Sequence, residues 1–380
     1  MFFKSGKSLA GRLSLLLLTL LLLISGLVFV GCAQTGAIPR GWSGGAIADG
    51  TIFLGSMEGK LIAIDVSNSD RRWPDVPFKP AETSGGFGCA RAPATVAIYG
   101  TPAISGDLVY VAAYNGKIYA INAKTGALRW VYPREGELEP IVGGPTVAGD
   151  IVYVGASDGK LYALDAVTGD RKWEFETGDK IWSTPSVEDD TLYIGSFDKK
   201  LYALNAADGS KKWEFETEGA IAATPLVYDS TVYTGSFDRY LYALNIADGS
   251  LRWKFLAGNW FWSRPVAHNG IVYAASLDGR VYVLKAEGGH KVAELDLGSP
   301  ITSSPVLVGS SIIVATEEGQ VYSLDTESNQ KKKLVNLEEE IYAPLSVSDG
   351  VVYIHTEKDN LYAVDAQSGA QAWNVSLESE

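Results

Sequence analysis

Cysteine, histidine and methionine are scarce in this chain, which has two Cys, three His and two Met in 380 residues. Two cysteines cannot form a disulfide framework, so the fold must be stabilised by its core. Basic residues are also outnumbered, with 32 Lys and Arg against 45 Asp and Glu and a formal net charge of −13. An acidic surface repels phosphate backbones, which argues against a nucleic-acid partner.

Glycine and aromatic residues are abundant instead, with 41 Gly, 19 Tyr and 10 Trp. Because glycine favours turns and aromatic side chains favour strands, this composition predicts a turn-rich β-protein. The chain is also 46% hydrophobic, which is too high for a disordered protein.

The longest apolar run lies at the amino terminus. A basic segment with Lys4, Lys7 and Arg12 precedes the apolar residues 13–30, and a glycine and Cys32 follow them. This order resembles a bacterial lipoprotein signal, in which the cysteine becomes the lipidated first residue. A run of this length can also just span a bilayer, so an uncleaved signal anchor is the alternative.

Both alternatives export the rest of the chain and attach it to a membrane. We predict a signal segment over 1–31, a lipid-anchored linker over 32–40 and an exported domain over 41–380. The domain would lie on the outer side of the cytoplasmic membrane, or on the periplasmic face of an outer membrane where the cell has one. If Cys32 is lipidated, Cys89 has no partner within the chain.

A four-residue pattern recurs eight times in the exported part: an apolar or Tyr residue, a small residue, an aliphatic residue and, in most copies, Asp or Asn. The last six copies are 40 residues apart. A constant period of this length is the sequence signature of a repeat architecture. The copies begin at Ile62, Tyr119, Tyr162, Tyr202, Tyr242, Tyr282, Tyr322 and Tyr362.

Each 40-residue unit has the pattern of four short strands joined by tight turns. In residues 181–220, for example, Asp208-Gly209 can adopt the positive φ that a tight turn requires. Four antiparallel strands per unit are typical of a propeller blade, which must stack on its neighbours to bury both faces. The eight units therefore predict an all-β, eight-bladed propeller.

A second spacing in the repeat includes a tryptophan: Asp165, Thr168, Gly169 and Trp173. It resembles the tryptophan-docking motif of the PQQ-like (quinoprotein-type) eight-bladed propellers. The size is similar to that of the propeller lipoproteins of the outer-membrane β-barrel assembly (Bam) machinery. The resemblance implies that each tryptophan packs on a neighbouring blade. It assigns this structural docking to Trp73, Trp130, Trp173, Trp213, Trp253 and Trp373.

Three positions depart from the repeat. Blades six and seven have Ala293 and Lys333 at the docking position, and the eighth blade has His355 where the second strand otherwise has Gly or Ala. If each tryptophan packs on that small residue of the next blade, His355 fills space left at Lys333. A ligand or acid–base role for His355 is the alternative, although no partner with metal-ligand spacing accompanies it.

The resemblance includes dehydrogenases that use PQQ with calcium as well as non-catalytic scaffolds. It implies a vicinal cysteine pair in the dehydrogenases, and this chain has no adjacent cysteines. The repeated Asp residues fall in turns, where Asp is a turn former, and no catalytic triad or phosphate loop stands out. We expect no catalysis and no cofactor; a PQQ- and calcium-binding quinoprotein or its decayed relative is the alternative.

Two features interrupt the repeat and are candidate binding sites. One is a Pro/Gly-rich insertion over about 74–98 that contains Cys89; long loops often bind partners, but an insertion can also be neutral. The other is residues 259–264, which end in Arg264, the one charge among residues that precede the repeated proline. The candidate binding residues are Trp42, Tyr99, Trp182, Trp260, Phe261, Trp262, Arg264 and Cys89.

An aromatic channel mouth beside one arginine can bind a peptide or an anionic ligand. The alternative is core packing, with Arg264 paired to a local carboxylate. We expect a monomeric, membrane-tethered binding scaffold for protein partners or a small extracytoplasmic ligand. A sensor of cell-wall or sugar fragments is a further alternative.

Overall fold

The computed structural model describes residues 42–78 and 96–378, all of which belong to one compact unit. The predicted signal segment, Cys32 and Cys89 lie outside these ranges. The described residues form eight four-stranded antiparallel sheets, which confirms the eight-bladed propeller. They include no helix long and apolar enough to cross a membrane.

The first four blades follow one another along the chain, and each contains four consecutive strands. Their strands are β1 (Ala46–Ala48), β2 (Thr51–Gly55), β3 (Lys60–Asp65), β4 (Val76–Pro77), β5 (Ala103–Ser105), β6 (Leu108–Ala113), β7 (Lys117–Asn122), β8 (Leu128–Tyr132), β9 (Thr146–Ala148), β10 (Ile151–Gly155), β11 (Lys160–Asp165), β12 (Arg171–Glu176), β13 (Ser186–Glu188), β14 (Thr191–Gly195), β15 (Lys200–Asn205) and β16 (Lys211–Glu216).

The last four blades continue the same arrangement. Their strands are β17 (Leu226–Tyr228), β18 (Thr231–Gly235), β19 (Tyr240–Asn245), β20 (Leu251–Leu256), β21 (Val266–His268), β22 (Ile271–Ala275), β23 (Arg280–Lys285), β24 (Lys291–Asp296), β25 (Val306–Val308), β26 (Ser311–Ala315), β27 (Gln320–Asp325), β28 (Lys331–Asn336), β29 (Ser346–Ser348), β30 (Val351–His355), β31 (Asn360–Asp365) and β32 (Gln371–Ser376).

Burial differs systematically between the strands of a blade. The second strand β14 is buried at every residue, whereas the fourth strand β16 alternates between exposed and buried positions. A strand packed on both faces has no solvent side, while an outer strand exposes every second residue. The short first strands contact those of neighbouring blades, so the chain that leads into each first strand lies closest to the axis.

Each docking tryptophan lies on the fourth strand of its blade, or just before it for Trp73, and reaches the turn between the third and fourth strands of the next blade. The Trp130 Nε1 donates to the Ala166 carbonyl oxygen at 3.0 Å, and a Cβ added to Gly169 would lie 2.6 Å from Trp130 Cδ2. Gly169 has a φ of 74°, so both the backbone and the indole require glycine there. Equivalent hydrogen bonds join Trp73 to Ala123, Trp173 to Ala206, Trp213 to Ile246, Trp253 to Ala286 and Trp373 to Val66.

The prediction that each tryptophan packs on the small residue of the next blade's second strand is wrong. A Cβ on Gly155 of β10 would lie 2.2 Å from Ile181 Cγ2, in the chain that leads into the next blade. The second strand lies nearer the axis than the fourth, so its small residue meets the incoming chain of the next blade. The indole starts from the outer strand and therefore meets the outer turn.

The two blades without a docking tryptophan contact the next blade through other residues. Opposite Ala293, the glycine of the next turn is replaced by Asn329, which keeps a positive φ of 56°. In blade seven the bulge in β28 is shifted, so that Lys332 rather than Lys333 faces Ser323 across the sheet. The Lys332 Nζ donates to the Gln367 carbonyl oxygen at 3.0 Å, in place of an indole N–H.

His355 belongs to the seam between blades eight and one. Its Nδ1 lies 2.9 Å from the Ser43 carbonyl oxygen and its Nε2 lies 2.8 Å from Asp359 Oδ1, and the His355 and Asp359 side chains are buried. Asp359 also accepts a hydrogen bond from the Met57 backbone N–H at 3.2 Å. His355 therefore links blade eight to blade one and does not fill space left at Lys333.

Sequence alignment of the repeat explains why this seam differs. In the other seams the incoming chain supplies an Ile or Phe against the small second-strand residue, whereas blade one has Gly41, outside the described residues. The larger His355 of blade eight thus coincides in the repeat with a smaller residue in the sequence of blade one. The incoming apolar residues are Ile98, Ile141, Ile181, Ile221, Phe261, Ile301 and Ile341.

The rest of the closing seam is also made by side chains, since each blade is contiguous in sequence. The Ser346 hydroxyl donates to the Gly45 carbonyl oxygen at 2.6 Å and accepts the Gly45 N–H at 3.0 Å. An apolar cluster that includes Ile52, Ile62 and Tyr353 lies beneath these bonds. The ring thus closes without exchange of a strand between its ends.

We expect Gly169→Ala to destabilise the propeller more than Gly149→Ala. Both glycines have a positive φ, but a Cβ on Gly149 has nothing within 4 Å. Gly149→Ala should cost about 1–2 kcal/mol from backbone strain alone, and Gly169→Ala should add about 1–3 kcal/mol from overpacking against Trp130. Urea unfolding measures both; equal costs would contradict the contact.

We expect His355→Ala to open the closing seam first. The substitution removes the imidazole that hydrogen-bonds the buried Asp359 carboxylate, which typically costs about 1–3 kcal/mol. Amide hydrogen exchange should accelerate in blades eight and one while blade four stays protected. His290→Ala, at an exposed histidine, is the control. Uniform exchange around the ring would refute a seam-specific role.

Candidate functional site

The blades surround a cavity of about 340 Å³ on the propeller axis. Five of the predicted binding residues line it together, although they come from four blades: Trp42, Tyr99, Trp182, Trp262 and Arg264. Each lies on the segment that leads into the first strand of its blade, which explains why residues so distant in sequence meet there. The Trp42 and Tyr99 rings are in edge-to-face contact, with centroids 4.9 Å apart.

Two other predicted binding residues do not reach the cavity. Phe261 is 1% exposed and packs between Gly235 and the ring of Tyr282, so it belongs to the core between blades. Trp260 lies outside the cavity, is 42% exposed and stacks on Phe237 with centroids 4.5 Å apart. Successive side chains of an extended segment point in different directions, which separates these neighbours in sequence.

Trp260 is the outermost member of a group of aromatic rings that we call the aromatic crescent: Trp182, Phe197, Phe237, Trp260 and Trp262. Phe237 is stacked between Trp260 and Trp262 and contacts Phe197, which in turn contacts Trp182. The Lys180 Nζ lies 4.4 Å from the ring centroids of both Trp182 and Phe197. The crescent crosses blades four to six on one face of the propeller.

Sequence reasoning missed Phe197 and Phe237, which occupy the same position in the turn between the second and third strands. Phe197 and Phe237 could have been found by comparing this turn position across the eight repeats. Only these two blades have Phe there, and they are neighbours in the ring. The other blades have Met57, Tyr114, Ser157, Leu277, Glu317 and Glu357.

Blades seven and eight place carboxylates on the same face. Glu317 and Glu357 occupy the turn position that is Phe in the crescent, and the Tyr342 hydroxyl donates to Glu340. Burial raises the pKa of Glu317, and the negative charge of Glu340 raises it further. The hydrogen bond to Glu340, together with burial, raises the pKa of Tyr342. The face thus has an aromatic sector and an acidic sector.

Arg264 is the charged residue of the cavity wall. No hydrogen bond or ion pair joins its guanidinium to another side chain within residues 42–78 and 96–378, so the expected pairing with a local carboxylate is not found there. Its backbone N–H donates to Ser304 Oγ at 3.2 Å. Its side chain keeps solvent contact through the channel, but the surrounding blades remove enough water that desolvation lowers the pKa of the guanidinium.

The residues of the cavity do not fit calcium or another metal. In the part of the chain that the structure describes, no three His, Cys, Asp or Glu side chains are grouped closely enough to hold an ion. The cavity wall itself contains no carboxylate, whereas Ca²⁺ takes six to eight oxygen ligands that usually include carboxylates. The residues of this cavity therefore do not fit PQQ with calcium.

The structure describes both ends of the predicted 74–98 insertion. At one end Phe78 stacks on Tyr119, with centroids 4.1 Å apart, directly after the two-residue strand β4. At the other end Val96, Ala97 and Ile98 are buried. Residues 79–95, including Cys89, lie outside the described ranges.

The fold and the docking tryptophans define a PQQ-like eight-bladed propeller that resembles BamB. Residues 141–380 match the family model described as "Beta-alanine-activating enzyme, beta-propeller", and the chain belongs to this propeller family. Residues 81–182 match a second family model, described as "Outer membrane protein assembly factor BamB".

Individual relatives are similar in sequence or in fold. The outer membrane protein assembly factor BamB of Shewanella oneidensis is 31% identical over 91 residues, which are 24% of this chain and only 22% of that protein. The crystal structure of BamB from Moraxella catarrhalis has a TM-score of 0.66 at 21% identity, covering 86% of this chain and 92% of that one. The computationally designed Ika8 protein has a TM-score of 0.70 at 17% identity, covering 84% and 94%.

Proposed function

We propose that this chain is an exported, monomeric, non-catalytic scaffold that binds a protein partner through the face carrying the aromatic crescent. The observation that carries the proposal is Trp260, which is 42% exposed and stacked on Phe237 outside the cavity. The docking tryptophans, by contrast, each donate a hydrogen bond to the neighbouring blade. A large exposed aromatic side chain on a rigid base is typical of the centre of a protein interface.

The rigidity of the crescent supports this use. Phe237 holds Trp260 from one side and Trp262 from the other, with near-parallel rings at 9° and 17°. The side chains are therefore ordered before a partner arrives, which reduces the entropy lost on binding. A partner that covers Trp260 would bury aromatic surface without having to order it.

The acidic sector supports a preference among partners. Glu317 and Glu340 lie on the same face, and the negative charge of Glu340 adds to burial in raising the pKa of Glu317. A partner segment with basic side chains beside apolar ones would relieve this repulsion while it covers the crescent. The similarity to BamB proteins, whose names describe outer membrane protein assembly factors, supports a role in assembling membrane proteins.

The proposal includes attachment to a membrane through Cys32. The segment 1–31 would be the signal, 32–40 the lipid-anchored linker and 41–380 the propeller with its insertion over about 74–98. Lipidation would confine the propeller to two dimensions near the membrane, which raises the effective concentration of a membrane-bound partner. A non-catalytic scaffold gains more from this confinement than from high intrinsic affinity.

We expect Trp260→Ala to reduce partner capture. Cross-linking and purification from native membranes should recover one protein with the unaltered chain and several-fold less of it with Trp260→Ala. Leu251→Ala is the matched control, because Leu251 is 45% exposed but lies on the outer strand β20. Equal recovery with both variants would place the interface elsewhere on the propeller.

We expect Cys32→Ser to abolish lipidation and to release the propeller from membranes. Incorporation of a labelled fatty acid measures the first effect, and fractionation measures the second. If the unaltered chain takes up no label and the variant stays in the membrane, the segment is an uncleaved anchor instead. Partner binding by purified protein should be unchanged, since the interface lies on the propeller.

A further inference from the structure

We propose that the axial cavity binds a small organic anion, with one carboxylate held by Arg264 and a flat apolar body against the aromatic wall. The cavity shares Trp182 and Trp262 with the crescent but does not include Trp260, and its ligand does not depend on the proposed protein partner. The charge, the hydroxyl groups and the walls of the cavity define the ligand class.

Arg264 is the one charge at its position of the repeat. Within the cavity wall no Asp or Glu balances it, and no ion pair occupies its guanidinium in the part of the chain described here. A single arginine without an ion pair in the cavity wall, in a protein with a net charge of −13, is a specific place for one negative charge. The equivalent residues of the other blades are Gly44, Thr101, Gly144, Thr184, Thr224, Ser304 and Pro344.

Hydroxyl groups around Arg264 are oriented to donate. Thr184 Oγ1 accepts the Gly144 N–H at 2.8 Å and Ser304 Oγ accepts the Arg264 N–H at 3.2 Å, which leaves each O–H available as a donor. A carboxylate, which only accepts hydrogen bonds, matches such donors.

The remaining walls are apolar. The cavity is surrounded by four aromatic side chains and by Val142 of blade three. The aromatic residues are Trp42, Tyr99, Trp182 and Trp262. A volume of about 340 Å³ is at the lower end for small-molecule pockets, so the ligand is small. Flat apolar groups stack on such rings, whereas a multiply charged phosphate would find only one cation.

The test uses naphthoate as the probe and naphthamide as its neutral analogue of the same shape. Calorimetric titration of the purified full-length protein should show one saturable naphthoate site, with an affinity roughly tenfold or more above that for naphthamide, because the amide lacks the charge-assisted hydrogen bond. Arg264→Gln should remove this preference. Arg252→Gln, at an exposed arginine on β20, should keep it.

Equal affinity for the two probes, no saturable binding, or a preference that survives Arg264→Gln would overturn the proposal. If Arg264→Gln does not fold, the comparison of the two probes on the unaltered protein still decides, together with Arg264→Lys, which keeps the charge. A short peptide with a free terminal carboxylate, compared with its amidated form, distinguishes a chain end from a free acid. Trp260→Ala should leave naphthoate binding intact while it reduces partner capture. The two experiments therefore test the anion site and the protein interface separately.

Discussion

The contact on which the ring depends is an indole laid on a glycine in the left-handed conformation. Trp130 on Gly169 shows its two requirements: the turn needs a positive φ, and the ring approaches to where a Cβ would be. The indole N–H also donates to Ala166, which fixes the ring in rotation as well as in depth. The contact recurs at five of the eight seams, where it fixes how one blade packs on the next.

The seams without an indole–glycine contact use other residues at the same positions. Where Ala293 replaces tryptophan, the next turn has Asn329 in place of glycine, and the turn that Trp373 meets in blade one has Ser69; both residues keep a positive φ. Where a shifted bulge places Lys332 at the docking position, a lysine N–H replaces the indole N–H. At the closing seam a second change appears nearer the axis, where His355 and Asp359 bind Ser43 and Met57 of blade one. The departures from the repeat thus lie in blades six to eight and in blade one, which are consecutive around the ring.

The period of 40 residues was enough to predict the eight blades and the positions of the docking tryptophans, since both repeat in register. It could not decide which glycine each tryptophan covers, because two small positions recur with the same period. The bulge that exchanges Lys333 for Lys332 depends on hydrogen bonds across the sheet, which spacing does not encode. Likewise Phe261 and Trp262 are adjacent in sequence, and only the structure separates the core residue from the cavity residue.

A rigid ring explains how distant residues form common surfaces on one face and along the axis. Because the blades pack in a closed ring, the segments before the first strands converge at the axial cavity, and the turns between the second and third strands place Phe197 beside Phe237. Both candidate binding surfaces therefore depend on the indole–glycine contact, although neither contains it.

A double-mutant cycle on Trp130→Ala and Gly169→Ala tests that contact most directly. With the indole removed, the new methyl group of Gly169→Ala has room, so its cost should fall to that of backbone strain alone. We predict a coupling free energy on the order of 1–3 kcal/mol in urea unfolding, as for residues in contact. Strictly additive effects would show that the two residues do not interact and would contradict this account of how the ring is held.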